Sequence, residues 1–333
     1  MTVYERFYSF REKPFSLLPD PAFLYLGPQH ARAYTLLEYG VLNRAGFTVL
    51  TGEVGCGKTA LIRHLLNQVN EDVTVGLLSN THKRFDDLLE WVLMAFGLDF
   101  ESNSPVRNYN SFVEFLIAEY ARNRRVVLIV DEAQNLQETT LEELRTLSNV
   151  NADKDLVLQL ILVGQPELGK TLATPSLRQL AQRVVAHHHI EALSEKETTN
   201  YIRHRLSHAG GSKDLFSLDA CRCVHRHAGG IPRLINLLCD TALVYGYAES
   251  AQEIGADLVQ SVVDEGAAGV GLQTVHKRQA QPQQPRPDLA CETADGTTER
   301  IERKDGRVVK FDRSEARQLF SHLLKEDPPS KSG

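Results

Sequence analysis

No stretch of the 333-residue chain approaches the ~18 consecutive apolar residues that a bilayer-spanning helix needs, so no transmembrane segment is expected. The first ten residues, MTVYERFYSF, carry charges where a secretory leader would have its apolar centre. Basic residues are not in excess: 37 Lys and Arg against 43 Asp and Glu leave a net charge of -6. The cationic footprint of a nucleic-acid binder is therefore missing. The five cysteines form neither a disulfide framework nor a zinc spacing, a usage that suits a reducing compartment. Together these absences point to the cytoplasm, with peripheral attachment to an inner-membrane complex left open.

What is present is most informative at residues 47–59, FTVLTGEVGCGKT. The apolar, β-branched run from Phe47 to Leu50 has the character of a buried strand and feeds directly into G-x-x-x-x-G-K-T. Gly52, Gly55 and Gly57 let the backbone curl so that successive N–H groups point inward at phosphate oxygens. The expected cradle runs through Gly52, Glu53, Val54, Gly55, Cys56, Gly57, Lys58, Thr59 and Ala60. Lys58 adds a positive charge near the β- and γ-phosphates, and Thr59 offers a hydroxyl to Mg²⁺. The helix that follows, ALIRHLLNQV, aims the positive end of its dipole at the same anion. A glycine-rich turn that binds nothing would account for the glycines but leave Lys58 beside Thr59 to chance, so a nucleotide site is expected.

Upstream, residues 1–26 hold Phe7, Tyr8, Phe10, Phe15 and Leu17, broken by Pro14, Pro19 and Pro21. Such a segment packs, either over an adenine ring or as an ordinary core-forming arm. The spacing of Ala33, Leu36, Leu37, Val41 and Leu42 predicts a helix over 29–42, entered through Gly27 and Pro28. Downstream, VTVGLLS (73–79) is a second strand, 85–96 a helix, ESNSPVRNYN (101–110) a loop and 112–120 a helix. The apolar strand 126–130 then delivers Asp131 and Glu132 to its C-terminal end, where ligands collect in open α/β sheets. Asp131 would orient the Mg²⁺ hydration shell, and Glu132 would accept a proton from the attacking water. A helix over 141–149 and a strand over 156–163 lead to Gln165, whose amide would report the γ-phosphate unless it is only a polar turn residue. Arg178 and Arg183 precede AHHHI, the last of five strands in a three-layer α/β domain.

From Ser194 the pattern turns helical. Ser194 and Glu197 form a capping box, Ser217 caps a helix that ends at Gly229 and Gly230, and Ile231, Pro232 and Arg233 open a third. A short fourth helix covers 256–264. In GGIPR, Arg233 would reach back toward bound phosphates. Cys221, Cys223, His225 and His227 alternate on the helix expected there, and residues two apart point about 200° apart, so they are read as structural and not as a metal site. His187 to His189 are likewise given no function, and Cys56 is read as a small residue that tolerates phosphate approach. Residues 265–299 lose periodicity. A hairpin over 300–311 and an amphipathic helix over 314–325 with Leu319, Phe320, Leu323 and Leu324 are expected beyond.

With GEVGCGKT, LIVDEAQNL, LVGQPEL, LRQLAQR and GGIPR in this order, and FYSFREKPFSLLPDPAFLYL at the start, the first 265 or so residues resemble the AAA+ ATPases of the general secretion pathway protein A (ExeA-like) family. The resemblance implies an AAA+ P-loop three-layer domain with a five-stranded parallel sheet (1–192, including the arm) and a small helical lid (193–267). A linker (268–299) and a flexible tail (300–333) would follow. It further implies ATP and Mg²⁺ as ligands, Lys58 and Thr59 as Walker A, Asp131 and Glu132 as Walker B, Gln165 as sensor 1 and Arg233 as sensor 2. Arg183, with Arg178 as competitor, stands where an arginine finger is expected. Implied partners are further copies of the chain, as a ring or a nucleotide-dependent oligomer, and a cell-envelope assembly complex for secretion, pilus or exopolysaccharide export, including an inner-membrane protein. The chain is expected to be a short form lacking the family's transmembrane and peptidoglycan-binding regions. Two other functions stay open: a DNA-dependent ATPase regulating transposition, with nucleic acid as partner, and a nucleotide-controlled interaction module.

Overall fold

The computed structural model describes residues 3–18, 20–43, 46–68, 72–79, 87–101, 104–152 and 155–267. The linker, hairpin and tail helix expected over 268–333 lie outside the described residues. Five strands form the main sheet: β1 (Phe47–Gly52), β2 (Val73–Leu78), β3 (Arg125–Val130), β6 (Leu158–Gly164) and β7 (Val184–Ile190). A separate two-stranded ribbon, β4 (Asn151–Ala152) with β5 (Asp155–Leu156), precedes β6. The spatial order is β2-β3-β6-β1-β7 and every pairing is parallel. Near-continuous apolar runs in β1, β3 and β6 have the composition of strands buried on both faces, and all residues of β1 and β6 are buried.

Alternation along the strands sends side chains to two separate cores. Val126, Leu128 and Val130 join one core, and Val127 and Ile129 join the other. The first is closed by α4 (Leu88–Ala95), α5 (Pro105–Ala121), α6 (Glu138–Leu147) and α7 (Pro166–Leu172). The second is closed by α2 (Pro28–Leu42) and α3 (Lys58–Gln68). This is the expected three-layer arrangement. A short α8 (Arg178–Ala181) leads into β7.

Two expectations are corrected here. More than half of the loop expected over 101–110 is helix, because α5 begins at Pro105. Pro105 occupies the first helical turn, where a missing N–H costs nothing, and buried Asn108 anchors the turn by exchanging hydrogen bonds with the backbone of Glu101. The apolar period is silent there because this turn overhangs the core, leaving Val106 75% exposed. The second correction concerns the N-terminal arm, grouped by chain order with the ATPase domain. Its Tyr4, Tyr8, Phe10, Phe15 and Phe23 are buried in one apolar core with side chains of the helices α9 (Glu195–His208), α10 (Leu218–Ala228), α11 (Pro232–Ala248) and α12 (Ala256–Asp264). The arm's own helix, α1 (Val3–Phe7), lies against α11.

Polar contacts fix this docking. Arg205 is buried on α9, and its guanidinium donates to the carbonyls of Pro14 (2.6 Å) and Ser16 (3.3 Å) and to the Tyr201 hydroxyl (3.2 Å). Its charge also lies 4.6 Å from the centre of the Phe23 ring, a favourable cation–π arrangement. The Tyr4 hydroxyl donates to Asp240, which also pairs with Lys13 at 2.8 Å. The capping box at Ser194 and the left-handed helix end at Gly229 form as the sequence predicts.

Candidate functional site

Parallel register brings three strand ends together. Thr51 of β1 is level with Gly164 of β6, and Val130 of β3 with Leu162 of β6. The phosphate loop, Gln165 and the Asp131–Glu132 pair therefore emerge side by side at the C-terminal edge. Within the loop, Gly55 and Gly57 have φ of 82° and 100°, values that L side chains adopt only with strain. Lys58 is 6% exposed, and its ammonium donates to the carbonyls of Gly52 (2.8 Å) and Glu53 (3.0 Å). Thr59 Oγ1 donates to Asp131 Oδ2 at 2.9 Å, joining the two sequence-predicted cation ligands directly. Burial pushes the Asp131 carboxyl up, opposed by the hydrogen bonds from Thr59 and from the Glu132 N–H. A buried, partly compensated carboxylate beside a hydroxyl is a hard oxygen pair of the kind Mg²⁺ takes, so the residues present fit that ion.

Glu132 has φ 54° and ψ 35°, a left-handed conformation that costs a non-glycine residue about 1–2 kcal/mol. Asp131 Oδ1 supports it by accepting from the Glu132 N–H at 2.9 Å. The turn re-aims the Glu132 side chain into a cavity of ≈ 220 Å³ that also contains the phosphate loop. Glu132 Oε2 accepts from Gln134 Nε2 at 2.6 Å and from Gln165 Nε2 at 3.4 Å, while the Gln165 N–H donates to Gln134 Oε1 at 2.9 Å. Gln134 was not singled out in the sequence; its place two residues after Glu132 was the available signal.

On the opposite wall, Arg233 comes in at the start of α11. Its backbone N–H donates to the Gly55 carbonyl at 3.2 Å, and a Cβ on Gly55 would lie 2.6 Å from that of Arg233. The helical region thus touches the phosphate loop through backbone. The arm adds to the wall through Ser16, Leu17, Leu18 and Tyr25, beside Tyr201 and Arg205 of α9, so the arm both packs in a core and lines the cavity. His30, also unforeseen, is 4% exposed and bonds through Nε2 to the Cys56 carbonyl at 2.8 Å. Burial lowers its pKa, opposed by that bond. Cys56 is buried and its thiol is pushed up by burial, against the pull of Lys58, which makes it a poor nucleophile.

The two finger candidates differ. Arg183 folds back onto the end of α6, donating to the Arg145 carbonyl (3.4 Å) and to Ser148 Oγ (3.2 Å), whereas Arg178 is exposed at the start of α8. Four of the residues set aside as structural have side-chain partners: His225 with Thr198, His227 with Gln260, and His187 and His189 both with Thr51.

Residues 42–172 match the family model described as AAA domain. Over 278 residues the chain is 38% identical to General secretion pathway protein A of Aeromonas hydrophila, taking in 81% of this chain and 51% of that protein. It therefore spans about half the length of that relative. Among solved structures it is similar to Cdc6p from Pyrobaculum aerophilum, with a TM-score of 0.58 and 17% identity over 78% of this chain and 74% of that one. It is also similar to the ORC2 protein of Aeropyrum pernix in ADPNP-ADP complexes, with a TM-score of 0.55 and 17% identity over 78% and 74%. At such identity these two speak for the fold alone. No described helix is long and apolar enough to cross a membrane. Sheet order, phosphate loop and sequence match agree: the chain carries an AAA domain and is ExeA-like, an AAA+ protein similar to general secretion pathway protein A.

Proposed function

We propose that this chain is a Mg²⁺-dependent ATP hydrolase that works as a homo-oligomer and serves a cell-envelope assembly system from the cytoplasmic side, at an inner-membrane partner. The observation that carries the hydrolase reading is the convergence of Lys58, Thr59, Asp131 and Glu132 at neighbouring strand ends. The loop N–H groups and Lys58 bind the β- and γ-phosphates, Lys58 exchanging its carbonyl partners for phosphate oxygens. Thr59 and Asp131 hold the cation, which neutralises phosphate charge when bound. Glu132 accepts a proton from water as the water oxygen bonds to the γ-phosphorus and the bond from that phosphorus to the ADP oxygen breaks. Gln165 and Arg233 sense the γ-phosphate from the sheet side and the helical side. An arginine from a neighbouring subunit completes the site. Arg178 is favoured for that role, because Arg183 is tied to its own α6. The link to envelope assembly rests on similarity to a protein named for the general secretion pathway.

Phosphate release from ATP by the purified chain tests the reading. Glu132→Gln should retain ATP binding and lose turnover, and Lys58→Ala should lose binding. A Glu132→Gln variant turning over at the parent rate would overturn the assignment of the base.

A further inference from the structure

We propose that Gln134 is a positioning residue that holds the Glu132 carboxylate and locks it to the Gln165 strand end. This rests on the reading of Glu132 as the base. The three residues close a ring: Gln134 Nε2 donates to Glu132 Oε2, the Gln165 N–H donates to Gln134 Oε1, and the Gln165 side chain reaches the same Glu132 oxygen. The Gln165 backbone N–H can only donate, so it fixes which end of the Gln134 amide is oxygen and turns the NH₂ toward Glu132. The bond to Glu132 is charge-assisted, the stronger class.

An independent observation comes from Gly164, whose φ is not in the left-handed region. A Cβ there would stand 2.9 Å from Gln134 Oε1. It would stand equally close, 2.9 Å, to Leu168 Cδ2, so glycine at the end of β6 leaves room for both side chains. Gln134 itself lies in a short turn, Ala133–Asn135, on a different strand connection from Gln165. Its amide is what ties the end of β3 to the end of β6. A base must sit in one orientation to meet a water in line with the γ-phosphorus, and the left-handed Glu132 backbone leaves its side chain to be oriented by this amide.

The experiment measures kcat, KM for ATP, ATP affinity and melting temperature for the parent, Gln134→Met, Gln134→Glu and Gly164→Ala. Gln134→Glu keeps the length and the acceptor for the Gln165 N–H, and replaces the donor to Glu132 by a second carboxylate that repels it. Each variant should lose about tenfold to a hundredfold in kcat, the range seen for groups that orient a functional ligand, with KM and ATP affinity little changed. In a Glu132→Asp background, where the carboxylate is withdrawn from the ring, Gln134→Met should cost less than about threefold more. If Gln134→Met and Gln134→Glu keep parental kcat while Glu132→Gln is dead, the positioning role is wrong and the base reading stands. Losses that multiply in the double variant, or a change in KM alone, also overturn it. A parent that hydrolyses no ATP removes both. Should Gln134→Met melt early, Gln134→Glu decides by the same split.

Discussion

Replacing Phe15 by alanine tests where the N-terminal arm belongs. Phe15 is 0% exposed, and its ring meets Phe216 edge-on with centroids 5.9 Å apart. Removing a fully buried phenylalanine costs about 3–5 kcal/mol, the sum of lost transfer energy and the cavity left behind. With a urea dependence of about 2 kcal/mol per molar, the affected body should unfold at about 2 M less denaturant. The chain has one tryptophan, Trp91, which lies on α4 against the sheet domain. Its fluorescence reports on that domain, whereas far-ultraviolet circular dichroism also follows α9 to α12. In Phe15→Ala the helical signal should therefore fall first, and the Trp91 transition should stay near its parental midpoint. Loss of coincidence between two probes is the signature of bodies that no longer unfold together. A Trp91 transition shifted as far as the helical one, or no shift in either, would refute the assignment of the arm to the helical core.

Gly230 has φ 73°, and a Cβ there would come within 2.1 Å of the Leu193 carbonyl oxygen. Gly230→Ala should therefore unseat α11 from the phosphate loop, weakening ATP binding several-fold while β1 and its partners stay folded; unchanged affinity in titration calorimetry would contradict this. Burial lowers the pKa of His30, His187, His188, His204 and His225 below the ordinary 6.5. The unfolded chain thus binds more protons than the folded one just below that value, so stability is full above about pH 6.5 and lost as pH falls through the depressed folded values. Melting temperature should drop between pH 7.5 and 5.5, and a flat or rising profile would count against it. Mixing Lys58→Ala with Arg178→Ala subunits, each inactive alone, should restore part of the ATPase activity in mixed oligomers. Recovery only with Arg183→Ala would return the finger to that residue.

Four of the five strands were legible because they are apolar runs of strand length, and the phosphate loop because each geometric demand is met by a residue type: glycine for curvature, lysine for charge, threonine for a hydroxyl. Asp131 and Glu132 could be placed because a buried strand has a defined end. Gln134 and His30 could not. Each acts by meeting a residue from another strand or loop, Gln165 and Cys56, and a single sequence carries no sign of that meeting. The arm illustrates the same limit, since Tyr8, Phe10 and Phe15 announce burial without naming the surface that covers them. In α5 the missed turn carried a signal after all: Ser104 before Pro105 is an entry to a helix, hidden by the absence of a core beneath Val106 and Tyr109.

The arm's docking bears on how the chain is made. Its core partners lie in residues 193–263, on the far side of the whole sheet domain, so that domain is in effect an insertion into the helical one. At about 5–20 residues per second, some 10 to 50 s separate synthesis of the arm from synthesis of its last partners. The five described strands of the main sheet are complete by Ile190, and that domain is free to fold meanwhile. During that interval Tyr4, Tyr8, Phe10, Phe15 and Phe23 have no native surface to cover them, and at the ribosome they form an apolar segment open to a chaperone.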